Sequence, residues 1–337
     1  MGINAFFNPR TEGDQFNGLN GSVRGDHADR VITNTHDFLR AAGRDYFVKR
    51  LPAPHPLALQ RLAADPATPE KDLFLKDRYW LARSSDDVVV SPKTVTDQYA
   101  ILSLMDVADE IRGFTDAGWA TPDGVYDRND SLEVLSLRLD AQGQIEGNDF
   151  RHYIVIVNPH GGGGAQGKII SWRIVCENTF AAAVSAGYDF CLTHRKGRAD
   201  EDSVMKERFA FAVEQWENVQ QHIATLSERI NVWSNISLAT EDAESLTHKL
   251  FAVSDPKKMA TRTANRVDRV LAAFNDPKNG TFGKSGWDWL NAVTFTTSHG
   301  ETKSKVDPMD RLVRNITPNG SGFKLEQRAE KLLASLV

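Results

Sequence analysis

Short apolar runs dominate residues 120–195, whereas beyond residue 200 apolar positions recur with helical spacing. Leu132, Val134, Leu135, Leu137 and Leu139, with Glu133, Ser136 and Arg138 as roughly alternating partners, predict a strand. The stretch from Arg151 to Gly187 carries the densest signal. It predicts a strand over His152–Val157, a glycine turn over Gly161–Gly164, a second strand over Lys168–Cys176 and a helix of small residues over Glu177–Ala186. The resulting β-β-β-α unit, at about residues 125–187, has connections short enough for an antiparallel meander.

Upstream, Phe38, Leu39 and Ala42 predict a helix capped at Thr33 or Thr35 and stopped by Gly43. In the LPAPHP segment the prolines argue against regular structure. Arg78–Arg83 and Val88–Val90 predict a hairpin, and the stripe from Tyr99 to Ile111 predicts a helix over Thr94–Arg112. Downstream, helices are expected over Asp200–Ser234, Thr240–Val253, Lys257–Phe274 and Lys324–Leu336. The third carries Arg262, Arg266 and Arg269 on one side. The expectation is an α+β fold with an antiparallel β-sheet core in the N-terminal part and a mainly helical C-terminal part. Three segments follow: a flexible arm over 1–30, an α+β core domain over 31–195, and a mainly helical region over 196–337 packed on that core.

Composition adds limits. The chain has 337 residues, 41% hydrophobic and 25% charged, with a mean hydropathy of -0.40, ordinary values for a soluble globular protein. No apolar run reaches the roughly 18 residues of a membrane helix, and the first residues lack the order of a signal peptide. With two cysteines, Cys176 and Cys191, reduced thiols and a cytoplasmic location are expected. Net charge is -5, but residues 255–337 hold fourteen Lys and Arg against nine Asp and Glu, a net +5. That basic third suits a phosphate backbone, or an acidic face of its own chain.

The Gly161–Gly164 run lies between two strands, and Lys168 is followed by Ile, so neither the P-loop nor the dinucleotide fingerprint is matched. A hairpin tip is expected. His152, His160 and His194, with Glu146, Asp149, Glu177 and Asp189 as oxygen donors, lack metal-ligand spacing, and no metal or cofactor is expected. Cys176 beside a helix start, with His160 or His194 as base, is formally a nucleophile, but Ile174 and Val175 before it suggest a packing thiol. No catalytic residue is assigned. Aromatic and basic residues interleave at Arg151, Tyr153, Lys168, Trp172, Arg173, Arg195, Lys196 and Arg198, the mixture a single-strand binder uses for stacking and phosphate contact.

The segment WRIVCENTFAAAV, with Arg173, Cys176, Asn178 and Thr179, resembles the signature of the phage/plasmid-like protein family, a domain of unknown function found in phages, plasmids and prophages. Asn158 and His160 resemble its Asn-Ser-His-Asp-Gly turn, His194 lies where it has a His-Thr element but follows Thr193 instead of preceding a Thr, and Trp287, Asn291 and His299 resemble its C-terminal block. Gly161 and Ser298 replace expected aspartates. The family implies no established reaction, but it implies mobile DNA. By topology, the unit at 125–187 is similar to Rad52-like annealing proteins. The leading expectation is a non-enzymatic, homo-oligomeric accessory protein that binds and anneals single-stranded DNA in replication or recombination. A structural or host- or phage-interaction protein, and a metal- or cysteine-dependent enzyme, are the alternatives.

Overall fold

A computed structural model describes residues 33–127, 131–145, 148–173, 178–180, 190–195, 207, 210, 219–276, 284–299 and 320–336. Antiparallel sheets occupy the N-terminal half and helices most of the C-terminal part, an α+β fold. Two compact units emerge. The first comprises Met1–Leu137, Val155–Gly167 and Phe190–Gln215, and the second Arg138–Ile154, Lys168–Asp189 and Trp216–Val337.

In the first unit, α1 (Thr35–Ala41) starts at Asn34, whose side chain accepts from the amides of His36 and Asp37. Strand β1 (Val48–Pro54) is followed by α2 (Ala58–Ala64), α3 (Glu70–Leu73) and β2 (Phe74–Arg83). Strands β1 and β2 pair antiparallel, with a register shift between Pro52 and Pro54. The proline segment is therefore a strand, contrary to expectation. A two-stranded sheet consists of edges, so prolines without an N–H are tolerated. The expected hairpin partner, Val88–Val90, contributes a single bridge from Val89 to Ala82.

The helix expected over Thr94–Arg112 is also corrected. Val95 bridges Tyr79, and helix begins as α4 (Leu104–Glu110), followed by α5 (Arg112–Asp116). Asp106 accepts from both the amide and the hydroxyl of Ser103, fixing that start. Tyr46, Val48, Leu81, Val90 and Val95 form a buried cluster against which Tyr79, Tyr99 and Ile101 pack.

Next come β3 (Ala120–Asp127), β4 (Leu132–Ile145), β5 (Asn148–Pro159), β6 (Gly164–Arg173), β7 (Asn178–Phe180) and β8 (Phe190–Thr193). The sheet order is β3-β4-β5-β6-β7, and β8 pairs with β6. Residues 178–180 pair antiparallel with 171–173, so the expected helix over Glu177–Ala186 does not start there. Residues 177 and 181–186 of that expected helix lie outside the described residues. Asn178-Thr179-Phe180 continues the hydrogen-bonding edge of β6 instead of turning into helix.

The second unit's helices are α6 (Val219–Ser234), α7 (Thr240–Leu250), α8 (Thr261–Phe274), α9 (Gly286–His299) and α10 (Ser321–Ala334), with a 3-10 turn at Pro256–Lys258. Helix α9 is its axis: Trp287, Trp289, Leu290, Ala292 and Val293 are all buried. Trp287 stacks on Trp233 with centroids 6.3 Å apart, and the Trp289 indole N–H donates to Thr247 Oγ1 at 2.9 Å. No described helix is long and apolar enough to cross a membrane.

Candidate functional site

Polar side chains rarely enter a core unless bonded to one another, and the first unit contains such a set. Glu133 on β4 is 1% exposed. Its Oε1 accepts from the Tyr46 hydroxyl at 2.8 Å, and its Oε2 lies 2.8 Å from His160 Nε2. Arg44 Nη1 donates to the same Tyr46 oxygen at 3.1 Å. Burial, reinforced by the Glu133 charge, pushes the Tyr46 phenol well above its usual range. It is thus a firm hydrogen-bond donor.

His160 closes β5, and the neighbouring turn carries the rest of the arrangement. Its amide donates to the Ser131 carbonyl at 2.8 Å. The Gly161 amide donates to the Tyr99 hydroxyl at 3.2 Å, which donates onward to the Pro159 carbonyl at 3.3 Å. The Tyr99 ring stacks on His194, 4.8 Å between centroids and 6° between planes. His194 Nδ1 lies 3.0 Å from the Ala100 carbonyl, which can only accept, so Nδ1 carries the proton. Burial above all, and the nearby His160, lower the His194 pKa to about 4, leaving a neutral ring at pH 7. Its Nε2 is buried and has no hydrogen-bond partner among the described residues. Asn158 donates from Nδ2 to the Leu102 carbonyl at 2.8 Å.

Asn158, His160 and His194 are thus brought into one region, although 36 positions separate the two ends of the set. Glu133, Tyr46, Arg44 and Tyr99 were not anticipated. A carboxylate set among the apolar residues Leu132, Val134 and Leu135 was the signal available for Glu133. Chemically, the network can hold protons and fix the glycine turn. With both Glu133 and His160 side chains 1% exposed, it offers no reacting group to solvent. No group of three or more His, Cys, Asp and Glu among the described residues is arranged to hold a metal.

The glycine turn is a hairpin tip joining β5 to β6. Gly161 and Gly163 have φ of 78° and 82°, values that favour glycine. Strand β8 runs beside it: Thr193 pairs with Gly164, and exposed Arg195 follows within a turn closed by its own amide on the Thr193 carbonyl, 2.7 Å away.

The nucleic-acid set reads differently. Tyr153 is 0% exposed and Lys168 3%, so neither meets a strand at the surface. Tyr153 fills the second unit's core, and the Lys168 ammonium lies 3.2 Å from the centroid of the Phe323 ring, where a buried cation is stabilised by the aromatic face. Arg151 lies on β5, and Trp172 and Arg173 on β6 opposite Thr179 and Asn178; their side chains fall outside the described ones, as do those of Asn178 and Thr179. Cys176, Lys196 and Arg198 lie outside the described residues. Arg195 belongs to the first unit, and Arg151, Tyr153, Lys168, Trp172 and Arg173 to the second.

The C-terminal block is a packing element. The Asn291 side chain donates to the Trp287 carbonyl at 3.0 Å, Trp287 is buried, and His299 ends α9 with its side chain outside the described ones. A different surface in this unit is basic. On α8, Arg262, Arg266 and Arg269 are exposed, and the Arg266 guanidinium lies 4.7 Å from the centroid of Phe251. Burial first, and the charge of Arg262 second, lower the Arg266 pKa. Neither Arg262 nor Arg266 has an ion pair with a described carboxylate.

These features define an α+β protein with a sealed polar network under a glycine hairpin tip and an exposed arginine ridge on a separate unit. Residues 93–329 match the family described as a domain of unknown function, DUF932, and the chain belongs to that uncharacterised family. Its match takes in the tip, both histidines and α9, while Arg44 and Tyr46 lie before it. No match was found among curated proteins or solved structures.

Proposed function

We propose that the protein is a non-enzymatic, single-stranded-DNA-binding accessory protein of mobile genetic elements, acting in the bacterial cytoplasm and contacting DNA along α8 instead of through the middle sheet. The carrying observation is the pair Arg262 and Arg266. They sit four positions apart, about 6 Å along a helix axis, exposed and without a described carboxylate partner. Like charges at this spacing repel and weaken the helix, and a polyanion relieves that repulsion, while the face of Phe251 holds the Arg266 guanidinium. Lys257, exposed just before the helix, extends the ridge, and Lys258 beside it pairs with Asp255 at 3.7 Å. The family resemblance to phage- and plasmid-borne proteins supports a DNA ligand, as does the net +5 of residues 255–337.

Fluorescence anisotropy with labelled oligothymidylate, across a salt series, tests this. Binding should weaken with salt, and each phosphate contact removed should reduce the log–log slope by about 0.7. Arg262→Glu with Arg266→Glu should therefore flatten the slope by about 1.4 and weaken binding at least about tenfold. Light scattering on the same samples reads the homo-oligomer that annealing requires. Absence of single-strand binding at low salt, or identical curves for the double variant, would sink the reading.

A further inference from the structure

Although the glycine tip lacks a helix N-terminus, a lysine stands in its place. The segment 91–95 is pinned to β2 at both ends. Ser91 Oγ accepts from the Leu81 amide at 3.0 Å, and the Val95 amide donates to the Tyr79 carbonyl at 2.8 Å. Lys93, midway along, is held over the tip, so that a β-carbon on Gly162 would meet its Cε and Nζ at 3.3 Å. On the adjoining sides, β-carbons on Gly161 and Gly163 would meet Ser91 Cβ at 3.0 Å and Pro159 Cγ at 3.1 Å. Only glycine leaves this space open.

Donors and charge converge there. The left-handed Gly161 and Gly163 flank Gly162, and backbone amides in turns of this kind form a concavity for anions. The Gly161 amide is already engaged by Tyr99, whereas those of Gly162 and Gly163 make no hydrogen bond to a described residue. Gly162 is half-buried and Gly163 exposed, so the concavity opens to solvent. Lys93 is exposed and makes no ion pair or hydrogen bond with a described residue. Register brings Arg195 two positions past the partner of Gly164.

We propose that the β5–β6 tip is a phosphate-binding site. The amides of Gly162 and Gly163 donate to non-bridging oxygens, and the Lys93 ammonium neutralises their charge; Arg195 adds positive potential at the rim. The Tyr46–Glu133–His160 network and the Tyr99–His194 stack serve as its foundation, positioning the turn without touching the ligand. The site uses first-unit residues alone and stands whether or not the arginine ridge binds DNA.

Calorimetric titration of the full chain with inorganic phosphate is the test. Lys93→Met should weaken binding at least about tenfold, since charge-assisted contacts to phosphate are the strong ones. Lys93→Arg should restore most of the affinity, and the Arg262→Glu, Arg266→Glu variant should bind phosphate as the parent does. Circular dichroism melting confirms that each variant is folded. Oligothymidylate with a 5′-phosphate or a 5′-hydroxyl then separates the sources. Preference for the phosphorylated strand, lost in Lys93→Met, assigns the site to a strand end; equal strands with phosphate still bound assign it to a phosphorylated small molecule. Equal phosphate binding by the parent and Lys93→Met, or none by either, overturns the proposal.

Discussion

Glu133 joins three elements through one side chain: Tyr46 before β1, its own strand, and His160 at the end of β5. Removing one partner of a buried charged set leaves the others unsatisfied, a loss of about 3–5 kcal/mol. Glu133→Ala should therefore lower the urea midpoint strongly at unchanged m-value. Tyr46→Phe, which removes the hydrogen bonds to Glu133 and from Arg44, should cost about 1.5–3 kcal/mol. The double variant should fall well short of the sum, because both changes act on one network. A Glu133→Ala loss below about 1 kcal/mol would mean that the network does not hold this region. Glu133 was expected to face outward, as a polar partner in an alternating strand. In the fold, Glu133, Val134, Leu135, Ser136 and Leu137 are all buried, so both faces of β4 are covered and alternation loses its meaning. The partner 87 positions away leaves no trace in local pattern.

At the scale of elements, helical periodicity was legible where a helix packs mainly on its own sequence neighbours. Helices α7, α8 and α10 lie close to their expected spans, and Val267, Val270 and Phe274 form the buried stripe of α8. Periodicity misled where strand contacts compete. Tyr99 and Leu102 have helical spacing, yet Tyr99 stacks on His194 and the Leu102 carbonyl accepts from Asn158, holding that segment extended until Ser103 caps α4. Residues 178–180, read as helix from composition, pair instead with 171–173, a contact between strands that composition does not encode. Helix α9 offers a sharp check on packing. A β-carbon on Gly286 would meet the Trp233 carbonyl oxygen at 3.0 Å, Leu333 Cδ2 at 3.1 Å and Ile236 Cβ at 3.2 Å. Leucine can give way, but the carbonyl is fixed backbone. Gly286→Ala should destabilise by about 1–3 kcal/mol, as overpacking does, despite alanine's better helix propensity. Urea unfolding followed by tryptophan fluorescence reads it, and a neutral or stabilising result would place the start of α9 elsewhere.

For the whole molecule, three buried or half-buried titrating groups set opposing dependences on pH. Burial lowers His152, in the second unit, and His194, in the first, to about 4. An unfolded histidine titrates near 6.5. Between about 6.5 and 4 the unfolded chain therefore binds protons that the native rings refuse, and stability falls as pH falls. Each ring contributes on the order of 3 kcal/mol across that window. Glu330 acts in the other direction. Burial raises it to about 7, partly countered by Arg229 and Lys168, so the native carboxyl keeps a proton that the unfolded one releases. Its contribution, complete below about 4.5, is lost as pH rises through about 7. From 4.5 to 6.5 two histidines outweigh one carboxyl and stability climbs; above 6.5 only Glu330 remains, and stability declines gently. Urea unfolding from pH 4 to pH 8 should thus show a maximum near pH 6.5. Glu330→Gln should abolish the decline above it, and His194→Asn, which leaves one histidine against one carboxyl, should nearly flatten the climb between about 4.5 and 6.5. A flat profile between pH 4 and pH 6.5 would show that the two rings are solvated in the native protein, and with them the foundation of the glycine tip.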